Sequence, residues 1–456
     1  MRWSIVLLTA LLLLSACTTG PSGSATTEDV YAYPPAPAAL SGALEPEVDE
    51  ALRRLVPSIL TGALDREAVE VVAGSEDARL AWFVSDLLRF LQGGAPLPVL
   101  VDAFERLTGV DPRVDPTFSG SPWQSITNHL IAWDLPAQPG YRELKADLFL
   151  QVEPGWEPFL ADADSDIDWR LVSWGGVYID DRPLGERRPC SRGCIPALDD
   201  PPLTGADGGN WYPDDGFVFG VVVGDDAVAF PKNMMEIHEM VNITIDSRRL
   251  GIPYCTLCGS AQAYFTDSVP DGIETPVLRT SGLLSRSNKV MYDLVTRSVF
   301  DSFTGRALSG PLQDAGVVLE QTTVVTSTWG EWKQAHPGTQ IVAHDGGIGR
   351  FYPADPLQGR DAGGPIFPVG DVDPRLAVQA QVLGVIAPDG TPVAFPVEPA
   401  RSAIAEGEPV AMQGVELVAD GGGLRARVPG GVDLAAHQAF WFAWSQFHPD
   451  TLLWEP

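Results

Sequence analysis

Positive charge is scarce in this sequence. Its 456 residues include 30 Lys and Arg against 60 Asp and Glu, which gives a formal net charge of −30 at pH 7. The lysines are Lys145, Lys232, Lys289 and Lys333. Nucleic acids and anionic membrane surfaces are bound through clustered Lys and Arg. The composition therefore argues against nucleic acid as a partner and against adhesion to lipid headgroups by charge.

A hydrophobic run of transmembrane length is also absent. The apolar stretch from Ile5 to Leu14 is too short for a hydrocarbon core, because a spanning helix needs about 20 residues. With Arg2 before it and small residues after it, the stretch indicates an export signal. Its end, Leu14-Ser15-Ala16-Cys17, resembles the lipobox of bacterial lipoprotein signal peptides, which implies that Cys17 is diacylated. We therefore expect residues 1–17 to be a lipoprotein signal peptide. The mature protein would be anchored on the extracytoplasmic face of a membrane, the outer membrane if the host has one.

The pattern of apolar residues changes along the mature chain. Residues 18–45 are rich in Thr, Ser, Gly, Pro and Ala, which is typical of a flexible tether. Apolar residues at helical spacing then predict a helical domain over residues 46–168. From residue 169, short β-branched and aromatic runs divided by Gly, Pro and Asp predict strands. The expected fold class is thus α+β, with an N-terminal helical domain followed by a β-rich core over residues 169–381.

Two sequence patterns that each occur twice indicate an internal duplication. The segments 217–230 and 382–395 both have two apolar runs around a turn and end in Ala-Phe, which predicts a hairpin in each. The pattern Trp-x-x-Trp-x-Gln-x-His-Pro-x-Thr begins at Trp329 and again at Trp441, and its Trp and His residues share one helix face. We therefore predict a duplicated β-hairpin-plus-helix unit, whose shortened second copy, residues 382–456, packs on the core.

The first copy contains the residues that most strongly indicate a metal-binding or catalytic site. Cys255 and Cys258 are separated by two residues, and His238 and Glu239 lie shortly upstream. Thiolates and imidazole are soft to borderline ligands, so Cys255, Cys258 and His238 are predicted to bind copper or zinc. Glu239 would orient the imidazole from the outer shell. The same four residues are the candidates for catalysis, with a redox-active Cys pair as the simplest form.

Other readings of the cysteines remain open. Structural disulfides dominate outside the cytoplasm, so Cys255 and Cys258 could belong to a non-catalytic envelope protein. A hydrolase or transferase with Cys258 as nucleophile and His238 as base is a third hypothesis. Cys190 and Cys194 bring the mature body to four cysteines, which allow three disulfide connectivities. We expect a local Cys190–Cys194 bridge; a four-thiolate zinc site joining both pairs is the alternative.

Several of these motifs together resemble a known family. They are His-Glu-Met-x-Asn from His238, Tyr-Cys-Thr-Leu-Cys-Gly-Ser from Tyr254, and Ser-Gly-Leu-Leu-x-x-Ser-Asn-Lys-Val-Met-Tyr-Asp from Ser281. Taken together they resemble the bacterial family known as domain of unknown function 3179. The resemblance covers most of the mature chain, but Ile243 stands where the family usually has Asp. The family has no assigned activity, so the resemblance implies where a site lies rather than a reaction.

The last of those motifs also suggests a pocket. Small polar side chains alternate there with apolar ones, and they could line a pocket beside the cysteines. The commoner use of such residues is to satisfy the backbone of turns. The candidates are Ser281, Asn288, Tyr292 and Asp293.

Overall fold

The computed structural model describes residues 31–456. The predicted signal peptide, the predicted lipid attachment site Cys17 and the first part of the predicted tether lie outside the described residues. Tyr33–Pro456 forms one unit. No helix in residues 31–456 is both long enough and apolar enough to cross a membrane.

Eight α-helices come first along the described chain. Proline at the first turn starts several of them, including α1 (Pro46–Leu55), α5 (Pro96–Thr108) and α6 (Pro122–Ala132), because the missing N–H of proline would have no helical partner there. The carboxylate of Asp65 caps α3 (Arg66–Gly74), and the left-handed Gly109 ends α5. The bounds are α1 (Pro46–Leu55), α2 (Ser58–Thr61), α3 (Arg66–Gly74), α4 (Ala81–Phe90), α5 (Pro96–Thr108), α6 (Pro122–Ala132), α7 (Tyr141–Phe149) and α8 (Glu157–Ala161).

Short strands make up most of the regular structure that follows. In chain order they are β1 (Val172–Trp174), β2 (Leu198–Asp199), β3 (Leu203–Gly205), β4 (Phe217–Val223), β5 (Asp226–Pro231), β6 (Met240–Ile245), β7 (Arg248–Cys255), β8 (Ser260–Ala261), β9 (Ala263–Phe265), β10 (Leu278–Ser285), β11 (Asn288–Asp293), β12 (Val299–Asp301), β13 (Glu320–Thr322), β14 (Val325–Thr328), β15 (Gln340–Val342), β16 (Gln381–Ile386), β17 (Pro392–Pro396), β18 (Ala411–Met412), β19 (Val415–Asp420), β20 (Gly423–Arg427), β21 (Asp433–Leu434), β22 (Ala436–Phe440) and β23 (Leu452–Leu453).

Further helices lie among these strands. They are α9 (Lys232–His238), α10 (Gly310–Asp314), α11 (Trp329–Ala335), α12 (Val397–Ala405) and α13 (Trp441–Phe447). Residues 343–380, between β15 and β16, contain neither helix nor strand. We call this segment the strap. It is attached to α6, where Asn128 Oδ1 accepts hydrogen bonds from the backbone N–H groups of Val369 and Gly370 at 2.8 and 2.9 Å.

The strands form five small sheets. Their orders are β1-β10-β11-β12, β13-β9-β7-β6-β2 with β8 beside β7, β14-β4-β5-β15-β3, β22-β16-β17-β23, and β18-β19-β20-β21. The candidate site lies where the first two of these sheets meet the fourth, because Cys255 and Cys258 pack in one hydrophobic cluster with Phe303, Val382 and Trp444.

The predicted division into an N-terminal helical domain and a β-rich domain is wrong. The small sheets form a five-bladed, propeller-like arrangement, with about 30% helix and 25% strand among the described residues. The core of helices α1–α8 continues into the first sheet instead of being closed by the helices alone. Trp156 and Phe159 share a hydrophobic cluster with Leu283 of β10 and Tyr292 of β11. Apolar periodicity can identify a single helix or strand, but it does not show which helices and strands bury their apolar faces against each other.

The two segments that echo each other in sequence have the same structure. The β4–β5 hairpin is flanked by antiparallel β14 and parallel β15, with α11 connecting them; β16–β17 has β22, β23 and α13 in the same places. In each copy the indole Nε1 of the second Trp donates to the motif's Thr Oγ1 at 2.9 Å, from Trp332 to Thr339 and from Trp444 to Thr451. The repeated sequence pattern therefore encodes a repeated packing arrangement of helix on sheet.

Candidate functional site

A tight turn positions the Cys-x-x-Cys pair. Strand β7 ends at Cys255, and Thr256–Cys258 form a single 3₁₀ turn. Gly259 then adopts a left-handed conformation, with φ of 58°, and the chain returns so that Ser260 pairs with Cys255. A Cβ at Gly259 would lie 3.0 Å from the Phe440 ring, so both backbone and packing favour glycine here.

The two thiols lie close together and are not bonded to each other. Cys255 is 3% exposed and Cys258 is fully buried. Each Sγ lies within hydrogen-bonding distance of the same backbone oxygen, that of Ser287, at 3.6 Å from Cys255 and 3.5 Å from Cys258. The pair therefore has the geometry of a dithiol whose sulfurs converge on one point.

The surroundings make the two thiols differ in acidity. Burial and the charge of Glu239 oppose the ionisation of Cys255, but hydrogen bonds from the Cys258 thiol and from the backbone N–H groups of Lys289 and Cys258 lower its pKa overall. Burial and the neighbouring sulfur raise the pKa of Cys258 well above its usual value. Cys255 is thus the thiol that ionises first and Cys258 the one that keeps its proton.

Glu239 and Lys289 form a buried pair beside the thiols. The Lys289 ammonium, 4% exposed, lies 3.7 Å from Oε2 of Glu239 and donates to the backbone oxygen of Glu239. Glu239 Oε1 accepts a hydrogen bond from Thr256 Oγ1 at 3.0 Å. Burial raises the pKa of Glu239 and lowers that of Lys289. Glu239 also ends α9 in a left-handed conformation, with φ of 50°, which costs a non-glycine residue about 1–2 kcal/mol.

Lys289 is the site residue that the sequence interpretation missed. It lies in β11, where every residue is buried. The signal visible in the sequence is a lysine directly before the apolar residues of a predicted strand. Lysine is rarely buried without a partner, so such a position indicates a buried ion pair. Glu239 contacts this lysine and Thr256, which differs from its predicted role of orienting an imidazole.

His238 is placed differently from the thiols. Its Nδ1 donates to the backbone oxygen of Pro196 at 2.6 Å, and its Nε2 accepts from the Tyr352 hydroxyl at 2.7 Å. Burial lowers the pKa of His238 to about 4, so the ring is neutral near pH 7. The imidazole thereby connects the strap to the segment after Cys194.

The thiol pair does not gather further ligands in this structure. Within residues 31–456, the group of three or more His, Cys, Asp or Glu whose ligand atoms all lie within 4.8 Å of one another is Asp180, Cys190 and Cys194. Neither Cys255 nor Cys258 belongs to such a group. The metal site predicted from Cys255, Cys258 and His238 therefore stays a prediction.

A cleft lies beside the thiol pair. Its volume is about 270 Å³, and Thr256 and Leu257, the residues between the two cysteines, form part of its wall together with Glu239 and Lys289. Ile195 lines it from another side, and strap residues within 357–367 cover it. The cleft thus gives a small molecule a place next to the turn that carries the thiols.

The predicted pocket residues take part in hydrogen bonds with neighbouring strands and loops. Ser281 Oγ donates to Val290 O at 2.6 Å, and Tyr292 donates to Asp180 O at 2.7 Å. Asn288 Nδ2 donates to Ser302 Oγ at 2.7 Å, and Asp293 accepts from the backbone N–H of Thr296 at 2.7 Å. These contacts explain why such side chains occur between apolar ones.

Cys190 and Cys194 are joined in a disulfide, with their Cα atoms 5.5 Å apart. The loop that holds them is fixed at its base by the buried carboxylate of Asp180. That carboxylate accepts from Arg182 Nε at 2.6 Å and from the backbone N–H of Ala197 at 2.7 Å. The disulfide is partly exposed, in contrast to the buried pair at Cys255 and Cys258.

Comparison with known families decides the relationship suggested by the motifs. The model of a family described as "Protein of unknown function (DUF3179)" matches residues 192–429. The chain belongs to this family. The DUF3179 match covers more than half of the chain and includes His238, Glu239, Cys255, Cys258 and Lys289, so the resemblance read from the sequence is confirmed. No curated protein and no solved structure matches the chain.

Proposed function

We propose that this DUF3179 protein is a thiol redox protein in which Cys255 and Cys258 alternate between dithiol and disulfide. The observation that carries the proposal is the convergence of two unbonded thiols on the oxygen of Ser287, at 3.6 and 3.5 Å, beside a cleft. A thiol–disulfide cycle needs two sulfurs close enough to bond and one of them ionised.

The unequal acidity of the thiols assigns their order of reaction. The Cys255 thiolate attacks one sulfur of a substrate disulfide, a mixed disulfide forms, and the first substrate thiolate leaves. Cys258 then loses its proton and attacks Sγ of Cys255, which closes the Cys255–Cys258 disulfide and releases the second substrate thiolate. Two electrons pass from the dithiol to the substrate. The backbone N–H groups of Lys289 and Cys258 favour the thiolate form of Cys255, whereas the charge of Glu239 opposes it.

The same surroundings are less suited to a metal ion. Structural zinc takes four ligands, whereas both ring nitrogens of His238 have other partners. The nearby carboxylate of Glu239 is engaged by Thr256 and Lys289. Thiolates are nevertheless preferred ligands of copper(I), so the metal content has to be measured in the same test.

Alkylation of single-cysteine variants tests the redox proposal. Cys258→Ser leaves Cys255 and Cys255→Ser leaves Cys258, both with the Cys190–Cys194 disulfide intact. We expect iodoacetamide to modify Cys255 at least about tenfold faster than Cys258 at pH 7, since one pKa unit is a tenfold difference in ionisation. The modification of Cys255 should reach half its maximal rate below pH 9.0, the ordinary thiol value, and Lys289→Met should move that point upward.

One result would contradict the assigned order of reaction, and two others would contradict the redox role itself. Equal modification rates at pH 7 would remove the assigned order of reaction. A Cys255–Cys258 disulfide that resists dithiothreitol in the folded protein would show a structural bridge. One equivalent of copper or zinc in protein purified without oxygen, lost in Cys255→Ser, would show a metal site instead.

We also propose that the protein is an exported lipoprotein held to a membrane through Cys17. The support is the signal-like sequence that ends in Leu14-Ser15-Ala16-Cys17. Replacing Cys17 with alanine is expected to move the protein from the membrane fraction to the soluble fraction and to remove incorporation of labelled palmitate. Unchanged palmitate labelling in that variant would disprove attachment at Cys17.

A further inference from the structure

A second group of ligand atoms lies at the base of the disulfide loop, the name we give to residues 181–196 around the Cys190–Cys194 bond. Cys190, Cys194 and the carboxylate of Asp180 each bring one ligand atom to within 4.8 Å of the other two. We propose that reduction of this disulfide creates a zinc site whose protein ligands are the two thiolates and the Asp180 carboxylate. The site is separate from Cys255 and Cys258 and does not depend on their redox role.

The spacing of the ligand atoms is close to what zinc requires. Zn–S bonds are about 2.3 Å and Zn–O bonds about 2.0–2.2 Å long, so a sulfur and an oxygen in tetrahedral positions lie about 3.6 Å apart. Sγ of Cys190 lies 3.9 Å from Oδ1 of Asp180. Two thiolates on zinc are about 3.8 Å apart, and the Cα atoms of Cys190 and Cys194, at 5.5 Å, are close enough for this once the S–S bond is open. Rotation of the two cysteine side chains therefore accounts for most of the change.

The loop is already held around these ligands, chiefly by Arg182. Its guanidinium donates to Oδ1 and Oδ2 of Asp180 at 2.6 and 2.9 Å. It also donates to three backbone oxygens, those of Glu186, Arg188 and Ala197, at 3.1, 3.2 and 2.9 Å. Cys194 is fixed separately, because it forms a parallel β-bridge with Tyr178. Ligands that are held in place before binding lose less conformational entropy when the metal binds.

The Asp180 carboxylate keeps a position for a cation. Its Oδ2 accepts two hydrogen bonds, from Arg182 Nη2 at 2.9 Å and from the backbone N–H of Ala197 at 2.7 Å. Its Oδ1 accepts from Arg182 Nε at 2.6 Å, whereas the backbone nitrogen of Arg182 is 3.4 Å away, beyond the usual range of a strong hydrogen bond. Each carboxylate oxygen has two lone-pair positions, so Oδ1 can still bind a metal ion next to Cys190.

The charges around the site make metal binding depend on the oxidation state. In the reduced state two thiolates and Asp180 supply three negative charges, and Zn²⁺ with the Arg182 guanidinium supplies three positive ones. The buried Arg279 does not disturb this balance, because it is paired with Asp199 at 2.7 Å. In the oxidised state the thiolates are absent, and Asp180 with Arg182 already forms a neutral pair. Oxidation thus removes two ligands together with the charge that attracts the cation.

A cavity of about 520 Å³ adjoins the disulfide, and both Cys190 and Cys194 line it. Zinc bound by three protein ligands takes water or a substrate group as its fourth ligand, and the cavity has room for either. Residues 191–193, between the two cysteines, are exposed, so a reductant can approach the disulfide from this side. The expected site is therefore of the open type rather than a closed structural one.

A dithiol is the class of reductant that converts the loop to its metal-binding form. One reductant thiolate attacks a sulfur of the disulfide, the Cys190–Cys194 bond breaks, and a mixed disulfide forms. The second reductant thiolate then attacks its own partner sulfur, so that the reductant leaves as a disulfide and both cysteines are thiols. Two electrons have passed to the protein. Zinc then displaces the two thiol protons, which go to solvent.

Metal binding is tested in the Cys255→Ser/Cys258→Ser variant, which retains the outer pair and lacks the inner one. The variant is reduced with dithiothreitol, desalted without oxygen, mixed with zinc and desalted again. We expect about one zinc per chain by elemental analysis, and less than about a tenth of this in the same variant with its disulfide intact. Co²⁺ in place of zinc should give the absorption of tetrahedral cobalt together with a thiolate-to-cobalt charge-transfer band, which only sulfur ligation produces.

Three further changes in this variant identify the ligands. Cys194→Ser and Asp180→Asn should each weaken zinc binding at least about tenfold, since loss of even an outer-shell partner has an effect of that size. Ser191→Ala is the matched control, because Ser191 is exposed, lines the same cavity and is not among the ligands. Thermal unfolding verifies that each variant is folded, and Cys194→Ser decides the test if Asp180→Asn is not.

Each of three outcomes would overturn the zinc site. The first is the absence of zinc from the reduced protein, and the second is equal zinc in the reduced and oxidised proteins. The third is unchanged binding in Cys194→Ser. Because Cys255 and Cys258 are absent from every protein in this test, none of these outcomes bears on the redox role proposed for them.

Discussion

Replacing Arg279 with methionine is expected to lower the free energy of unfolding by about 3–5 kcal/mol, the cost of breaking a buried ion pair. The guanidinium is fully buried and donates to both carboxylate oxygens of Asp199, at 2.9 and 2.7 Å. It also lies 3.8 Å from the buried carboxylate of Asp180. Methionine would fill much of the space but would leave two carboxylates without their shared positive charge.

Urea denaturation of both the variant and a matched control measures this effect. Arg249 forms an ion pair with Asp200, whose side chain is 56% exposed, so Arg249→Met should cost less than about 1 kcal/mol. Similar losses in the two variants would show that burial of the Arg279 pair does not matter. Since Asp180 also holds the base of the disulfide loop, Arg279→Met should in addition make the Cys190–Cys194 bond easier to reduce.

Alanine at Gly384 is expected to lower the free energy of unfolding by about 3 kcal/mol, the upper end of the usual cost of overpacking. A Cβ there would lie 2.1 Å from carbon atoms of the Trp444 ring. That indole cannot easily move, because it is 1% exposed and its Nε1 is bonded to Thr451. The clash must therefore be relieved by shifting the helix from the sheet.

The duplication supplies a second site for the same measurement. Gly220 occupies the corresponding place in the first copy, where a Cβ would lie 2.4 Å from the Trp332 ring. Gly220→Ala should therefore destabilise the protein to a similar extent. Gly338→Ala is the control, since nothing lies within 4 Å of its Cβ position. Equal melting temperatures for Gly384→Ala and Gly338→Ala would refute the packing explanation.

Local patterns in the sequence were sufficient for much of the structure. The hairpins at β4–β5 and β16–β17 follow from apolar runs around turn residues, and the helices that begin at Trp329 and Trp441 follow from 3.6-residue spacing. The fold-class prediction was wrong because the fold depends on which apolar faces pack against each other. Trp156 donates its indole N–H to Ser281, 125 residues away, and no local pattern encodes such a contact.

The same distinction between local patterns and long-range contacts applies to the candidate site. The Cys255/Cys258 pair is visible in the sequence because its two members are close along the chain. The partners of His238 are not, since Tyr352 is 114 residues away and Pro196 is 42 residues away. Both contacts depend on how the strap and the disulfide loop cross α9, which the sequence pattern does not specify.

The buried pair of Glu239 and Lys289 has a thermodynamic consequence. When Cys255 is ionised, the dithiol state of the proposed cycle has a thiolate next to the Glu239–Lys289 pair, whereas the disulfide state has lost the thiolate. Oxidation thus makes the cleft more positive by one charge. A charged ligand in the cleft would bind the two states with different affinity, and by linkage it would shift the reduction potential of the cysteines by the same free energy. Ligand binding in the cleft and oxidation of the thiols would then be thermodynamically coupled, so that a change in one shifts the other.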